Sequence, residues 1–546
     1  MLKLQQFYII KLDSARLKEH NFKIKELPIE RARLNGELVQ ISNSQLVRTI
    51  YEVKNKPFSQ YDLDSLLEER DYLKKKRNGR GNRERILKLN KEIDDMLFIP
   101  ELVSIEFSDR RHFLNILRKG GFFVNNKKYV PFMSSAGQIR RSSSLFIDSE
   151  LKEKLDTIFN NGRNFEKEIV PAKFSAYFAL YSSSSFPVSF PRIAVVSDLI
   201  LKTIRRVDYS KYVDEKTDPI IEEQEMEIEA NAFDGSGLMT PQYAGQIAKD
   251  LDMDYIPSSA IIRAPFMKGL LVTFDLYDFA RNVAEKDFLT DIYGNKVNIH
   301  EVDCVISQSM FKLWDSYSST EQYVSNCFSN NLSFGVSKLS PKEDKNHCRS
   351  SYQFLQVLNL DEKDVEEICK PTLEWIDSVA GGDLSRSLLF SLGETKFDKG
   401  WFSKVEPVVQ ALLLENSLIN DKYVINHFER AVAKKKNDAK IGRLVFSGNY
   451  STMIADPYLQ ACHIFGIELK PLLNDGEHYS NYWLERDVGQ VIGIRSPIVH
   501  SSEVNVLNLK NSEELKYWYK WLKSGIVFPA NGIGIDCAIN GGADYL

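Results

Sequence analysis

At 546 residues, with 43% apolar and 27% charged side chains, the chain has the composition of a globular protein of roughly three or four domains. Its net charge of −4 excludes a uniformly basic coat for nucleic acid, while leaving room for a basic channel inside an acidic exterior. Six cysteines without a Cys-x-x-Cys pair argue against a disulfide frame or a zinc site, and with no signal peptide and no membrane-length apolar run the sequence reads as a soluble cytoplasmic protein.

Residues 1–60 read as short strands and loops. Over 60–97, Leu63, Leu66, Leu67, Leu87, Leu89, Ile93 and Leu97 recur at helical spacing. The centre of that stretch holds Lys74, Lys75, Lys76, Arg77, Arg80, Arg83 and Arg85 around two glycines, which predicts a helical hairpin with a basic tip. Such a tip either touches phosphates or is a solvated loop. Residues 100–200 are mixed, with strands expected near 128–132 and 193–196. Between them, several serines flank Gln138, Arg140 and Arg141, a donor set that suits phosphate oxygens or a polar loop entering a helix. The stretch 212–230 is strongly acidic and reads as an exposed boundary, a poor partner for nucleic acid.

Asp234-Gly-Ser-Gly237 predicts a tight turn. A helix follows, capped by Thr240 with Pro241 at its first position and Ala244, Ile247, Ala248 and Leu251 on one face. Strands are expected over 260–264 and 269–275. Lys268-Gly269 opens the second, where the lysine meets a phosphate as a point charge or merely turns the chain. Residues 307–314 read as a helix start and 320–440 as mainly helical. That region closes with an amphipathic helix over 423–436, whose Lys434, Lys435 and Lys436 suit a helix C-terminus.

Strands return after Leu444. Over 490–500 an apolar strand ends at Arg495, and Pro497 holds the preceding residue extended. Arg495 therefore projects from a strand end, where its planar fork can grip a ribose or phosphate; His500 is a ligand or a structural histidine. The last stretch, 532–546, runs an apolar strand into Asn540-Gly-Gly542 and then Asp544. An aspartate on such a turn can offer oxygen to Mg²⁺, although alone the pattern is that of a surface turn. There is no P-loop, Rossmann fingerprint or nucleophile elbow.

The order of these segments is more specific than any one of them. Residues 129–144, with Phe132, Ser134, Gln138 and Arg140, resemble the segment before the first barrel of cellular RNA-dependent RNA polymerases. Asp234-Gly-Ser-Gly237, the helix after it, Pro257-Ser258, Arg263 and Lys268-Gly269 resemble the opening of that family's first double-psi β-barrel. Ser309-Met-Phe-Lys312 is similar to the family's Ser-Met-x-Lys. Arg495-Ser-Pro-Ile-Val-His500 resembles the Arg-x-Pro-x-x-His stretch ahead of the catalytic loop in the large subunit of multisubunit RNA polymerases. Gly542-Ala-Asp-Tyr545 falls where the family places its Asp-x-Asp-Gly-Asp loop. The resemblance runs from about residue 120 to the end, and phage single-chain RNA polymerases share the same core.

What the resemblance implies is an α+β fold in five parts. An N-terminal accessory α/β region with the basic hairpin (1–110) precedes a pre-barrel α/β region (111–230). A first double-psi β-barrel (231–320) and a mainly helical connector (321–440) lead to a second, incomplete double-psi β-barrel (441–546). The implied function is template-directed RNA synthesis, a nucleotidyl transfer with two Mg²⁺ ions adding nucleoside triphosphates to an RNA 3′ end. An RNA template is favoured; a phage-type DNA-dependent enzyme and a catalytically inactive nucleic-acid-binding relative are the alternatives. Implied partners are an RNA or DNA template, nucleoside triphosphates and RNA product, with no membrane.

By the same resemblance Asp544 holds the catalytic metal and Lys268 reaches the triphosphate, both as catalytic residues. Arg495, Arg263 and Lys312 bind substrate, and Arg140, Arg141, Lys75, Lys76 and Arg77 contact nucleic acid. Leu546 stands where the second loop aspartate belongs. One carboxylate holds a two-metal site poorly, so these 546 residues, a fragment or a diverged loop, are expected not to polymerise.

Overall fold

Strand Gln6–Asp13 buries Phe7, Ile9, Ile10 and Leu12, presenting apolar side chains to both faces of its sheet. A strand of that kind needs cover on both sides. The computed structural model, which describes residues 4–56, 58–76, 80–211, 220–380, 383–392, 401–498 and 500–530, places it inside a seven-stranded sheet. The order is Lys23–Ile24, Phe122–Val124, Lys127–Met133, Ser143–Asp148, Phe98–Glu106, Gln6–Asp13, Leu38–Ser42. The expected helical hairpin is present as Gln60–Lys75 and Arg80–Leu97, clasped by Arg85, which donates through Nε and Nη2 to the two carboxylate oxygens of Glu69 at 2.7 Å each. Lys75 and Lys76 are exposed at the end of the first helix, and Arg77 lies outside the described residues.

A second seven-stranded sheet, curled into a half-barrel, runs Phe186–Val188, Phe334–Leu339, Ser259–Ala264, Met267–Thr273, Ser236–Met239, Cys304–Ser307, Ile193–Val196. Ser236–Met239 pairs in parallel with Met267–Thr273, and Cys304–Ser307 in parallel with Ile193–Val196. The span 231–320 holds four of these strands, and the others come from either side of it. Phe334–Leu339 lies in a stretch expected to be helical. Its buried Phe334 and Val336 alternate over too few residues to stand out from the helices that follow. Arg48, in helix Gln45–Val53, joins the two sheets by donating to the Ser185 carbonyl (2.9 Å) and to Ser333 Oγ (3.0 Å); burial lowers its pKa to about 10.

Within the acidic stretch 212–230, the described residues from 220 on form a strand whose Glu225, Glu227 and Glu229 are exposed, as expected. Strand Ile220–Asn231 pairs antiparallel with Ile200–Lys211, putting Glu229 opposite Lys202 and Glu225 opposite Arg206. Lys202 Nζ reaches Glu229 (2.5 Å) and Glu227 (3.3 Å). The cations that offset this acidity come from the neighbouring strand, so a count along one segment misses them. Residues 352–440 are mainly helical, as expected, around Ile376, Val379, Leu412, Val424, Phe428 and Val432. Cys304, Cys327, Cys348, Cys369 and Cys462 are free thiols. No helix among the described residues is long and apolar enough to cross a membrane.

The C-terminal unit begins with strand Met453–Ala455, parallel to Ile526–Phe528, beside a three-stranded sheet of Glu477–His478, Val504–Leu509 and Gln490–Ile494. It packs on the half-barrel through edge-on rings: Phe279 meets Tyr458 at 5.1 Å and Trp518 at 5.5 Å between centroids. Asp456 caps helix Pro457–Ile464, its Oδ1 accepting from the N–H groups of Tyr458 (2.9 Å) and Leu459 (3.1 Å) and from the Tyr519 hydroxyl (2.6 Å). Its Oδ2 is buried with no hydrogen-bond partner among the described residues, and burial pushes the carboxyl up to about 6 from its ordinary 3.8. A carboxyl raised in the fold contributes stability fully below its unfolded value and loses it as pH rises through about 6. Asp456→Asn should therefore gain about 2 kcal/mol on the native protein between pH 4 and pH 7, read from denaturant unfolding at each pH. A pH-independent difference contradicts this.

Candidate active site

Three segments far apart in sequence meet on the half-barrel. The turn after Asp234 places Gly235 at φ +78°, and the Gly235 N–H donates to Ser309 Oγ at 2.9 Å while its carbonyl accepts from Leu270 N–H at 2.9 Å. Ser309 in turn gives both its N–H and its hydroxyl to Asp198 Oδ1 at 3.0 Å, and Asn231 donates to Asp198 Oδ2 at 2.8 Å. Asp198 escaped the sequence reading because it stands alone in an exposed-looking stretch and its partners lie up to 111 residues away.

Residues 307–314 do not start a helix. Met310 N–H bonds back to the Ser307 carbonyl and Phe311 N–H to Gln308, making a tight turn. Lys268 N–H then donates to the Met310 carbonyl (3.1 Å), and Lys312 N–H to the Phe266 carbonyl (2.9 Å). These cross-links, with Met310 and Phe311 fully buried, outweigh the local helical tendency of the stretch. Lys268-Gly269 is likewise not a turn: both residues lie within strand Met267–Thr273. A Cβ on Gly269 would sit 2.5 Å from the Gly235 carbonyl oxygen and 2.7 Å from Met310 Cγ, and one on Gly237 would sit 2.6 Å from the Val305 oxygen. The glycines let the backbones press together beneath Lys268.

Antiparallel register sets Arg263 directly opposite Lys268, so the two cationic side chains share one face of the hairpin Ser259–Ala264/Met267–Thr273. Arg263 is half-buried and its Nη1 donates to the Ile262 carbonyl at 2.7 Å. Its Nε has no partner among the described residues, no carboxylate pairs with it there, and desolvation lowers its pKa. A desolvated guanidinium without an anion is costly, and an anionic ligand is what would offset that cost. Lys268 and Lys312 are half-buried beside it, tied to the same hairpin by the two cross-links.

The other expected site residues lie outside this cluster. Arg140 and Arg141 are exposed at the end of helix Ala136–Arg140 beside the N-terminal sheet. Ser135 and Gln138, read as phosphate donors, instead form that helix's capping box, with Gln138 N–H to Ser135 Oγ at 3.2 Å and Ser135 N–H to Gln138 Oε1 at 2.8 Å. Arg495 follows strand Gln490–Ile494, at a strand end as expected, and His500 is exposed. Asp544 lies outside the described residues. Strand Ile526–Phe528 is parallel to Met453–Ala455, so the buried Asp456 carboxylate sits at the C-terminal end of both. Among the described residues no group of three His, Cys, Asp or Glu side chains is placed to hold a metal, so the structure assigns no Mg²⁺ ligand.

Residues 77–545 match the family described as RNA dependent RNA polymerase, and the chain belongs to that family. It is 30% identical over 417 residues to the DNA-directed RNA polymerase YonO of Bacillus phage SPbeta, a match covering 73% of this chain and 46% of that protein. Among solved structures it is similar to the RNA dependent RNA polymerase QDE-1 from Thielavia terrestris, with a TM-score of 0.47 and 15% identity, over 82% of this chain and 48% of QDE-1. The chain thus spans about half the length of each of these relatives.

The packing at Gly269 gives a direct check on this site. Gly269→Ala should cost about 1–3 kcal/mol through overpacking against backbone, lowering the thermal unfolding midpoint. Gly245→Ala, in a helix with open space around it, should leave the midpoint unchanged or raise it. Equal midpoints for the two variants contradict the packing argument.

Proposed function

We propose that this chain carries the substrate-phosphate side of a template-directed RNA polymerase, a nucleotidyltransferase that adds nucleoside triphosphates to an RNA 3′ end. The observation that carries the reading is the half-buried Arg263, its buried Nε without a partner and no carboxylate beside it among the described residues, opposite Lys268 on a hairpin that the Ser309–Lys312 turn holds in place. Such a cluster answers the need of nucleotidyl transfer, where charge builds on the triphosphate and the protein contributes position and electrostatics. Lys268 and Arg263 take the phosphates, Lys312 adds positive potential, and Arg495 contacts the ribose or the template–product duplex. Asp544 supplies a carboxylate to a two-Mg²⁺ centre, and when bound those ions activate the 3′ oxygen and stabilise the leaving pyrophosphate. Two double-psi β-barrels, the half-barrel and the C-terminal unit, are the architecture that goes with this reading.

The family's description favours RNA as template, and the 30% identity to a DNA-directed phage enzyme supports DNA as the second reading. Exposed Arg140, Arg141, Lys75 and Lys76, together with Arg77, serve the nucleic acid in either case, inside the cell and away from membranes. The test is incorporation of labelled nucleotide by the native-length protein on matched RNA and DNA templates with Mg²⁺. Lys268→Ala should lower kcat/KM by about 10²–10³-fold, the scale of losing one charge-stabilising contact, and Asp544→Ala should abolish incorporation. Full activity in Lys268→Ala overturns the assignment, and incorporation on neither template identifies an inactive nucleic-acid-binding relative.

A further inference from the structure

Helix Lys422–Lys440 is about 29 Å long at 1.5 Å per residue, matched in length by the helix Glu362–Ala380 it packs against. Val424, Phe428 and Val432 bury one face against Ile376, Val379 and Leu412. The solvent-facing remainder of the helix exposes Lys422, Arg430, Lys434, Lys436 and Lys440, with Lys436 flanking the buried face and Glu429 as the acidic residue among them. None of the five cations has an ion-pair partner among the described residues. Asp438 is engaged instead by Arg349 (3.5 Å) and Arg443 (3.6 Å).

Two ordinary explanations fall short. A helix C-terminus attracts cations, which accounts for Lys436 and Lys440. It does not account for Lys422 at the helix start, where the dipole disfavours a positive charge, or for Arg430 in the middle. A solubilising surface would intersperse both signs. Here the adjacent helix Glu362–Ala380 exposes Glu362, Asp364, Glu366, Glu367, Glu374 and Asp377, yet none of the five cations pairs with them. Acids outnumber the exposed Lys363 and Lys370 on that helix, whereas exposed cations outnumber acids on Lys422–Lys440, in a chain whose net charge is −4.

We infer that the exposed face of Lys422–Lys440 is a docking surface for the sugar–phosphate backbone of a nucleic-acid duplex. Charge complementarity selects a polyanion, and a convex array of long cations along the solvent side of a helix suits the exposed backbone of a double helix. Single strands favour concave grooves with several stacking aromatics, and this face offers only Tyr423, 70% exposed. The inference rests on the polymerase reading for the choice of nucleic acid, but the binding it describes needs neither Mg²⁺ nor catalysis.

The test compares the 546-residue chain with a variant carrying Lys422→Gln, Arg430→Gln, Lys434→Gln, Lys436→Gln and Lys440→Gln. All five positions are exposed, and unchanged circular dichroism and thermal midpoint confirm the fold. A control replaces the exposed Lys18, Lys25, Arg31, Lys56 and Lys249 by Gln, matching the charge change elsewhere. Anisotropy of a labelled 25-base-pair RNA–DNA hybrid, and of its RNA strand alone, is followed from 50 to 300 mM salt. The expected result is at least tenfold weaker hybrid binding at low salt. The slope of log K against log salt should fall by about 2 or more, the release of at least two phosphate contacts, with the control unchanged. Equal hybrid binding by variant and wild type overturns the inference while leaving the polymerase reading intact. So does a loss confined to the single strand. Loss of self-association in sedimentation, with hybrid binding unchanged, assigns the face to a second copy and overturns it too. A wild type that binds no nucleic acid overturns both this inference and the polymerase reading.

Discussion

Two main-chain hydrogen bonds hold the centre of this molecule together: Lys268 N–H to the Met310 carbonyl and Lys312 N–H to the Phe266 carbonyl. They fasten the tip of one β-hairpin to the turn leaving another strand, and neither can form unless both segments are already in place. Once they form, Met310 fills the space that side chains at Gly237 and Gly269 would need, and Ser309 binds the Asp234 turn to Asp198. The constraint is steric as well as polar. Without glycine at 269, backbone meets backbone, and Lys268 and Arg263 lose their common face.

The second unit uses the same local device. In the half-barrel, strand Ser236–Met239 runs into Thr240, whose hydroxyl accepts from Tyr243 N–H, and into a helix beginning at Pro241. In the C-terminal unit, strand Met453–Ala455 runs into Asp456, which accepts from Tyr458 and Leu459, and into a helix beginning at Pro457. Each strand pairs in parallel with a later one, Met267–Thr273 and Ile526–Phe528 respectively. The caps differ in what surrounds them. Thr240 is neutral, whereas Asp456 puts a buried carboxylate at the strand end. Aromatic packing of Phe279 on Tyr458 and Trp518 then fixes one unit against the other.

How much of this was legible in the sequence depends on the range of the interaction involved. The helix after Thr240 and the hairpin over 60–97 follow from caps and spacing within a few residues, and both are where the pattern puts them. The family was legible from the order of Asp234-Gly-Ser-Gly237, Lys268-Gly269, Ser309-Met-Phe-Lys312 and Arg495. None of these had a unique meaning alone. The turn over 307–314 and the strand Phe334–Leu339 depart from the local pattern because their partners lie far along the chain. Asp198 and Asp456 were missed for the same reason: an acidic residue in a loop looks solvated until the groups that close around it are known. Lys268-Gly269 lies at the start of a strand, as the pattern puts it, while the close packing that requires the glycine involves Gly235 and Met310 and has no local signal.

The central claim is that the Arg263–Lys268 face receives the triphosphate of the incoming nucleotide. The most direct measurement is affinity labelling with a nucleoside triphosphate bearing a lysine-reactive aldehyde on its phosphate end, followed by peptide mass mapping. The account expects the adduct on Lys268, suppressed by excess unlabelled nucleoside triphosphate. An adduct on lysines elsewhere, with Lys268 unmodified and competition without effect, would contradict it.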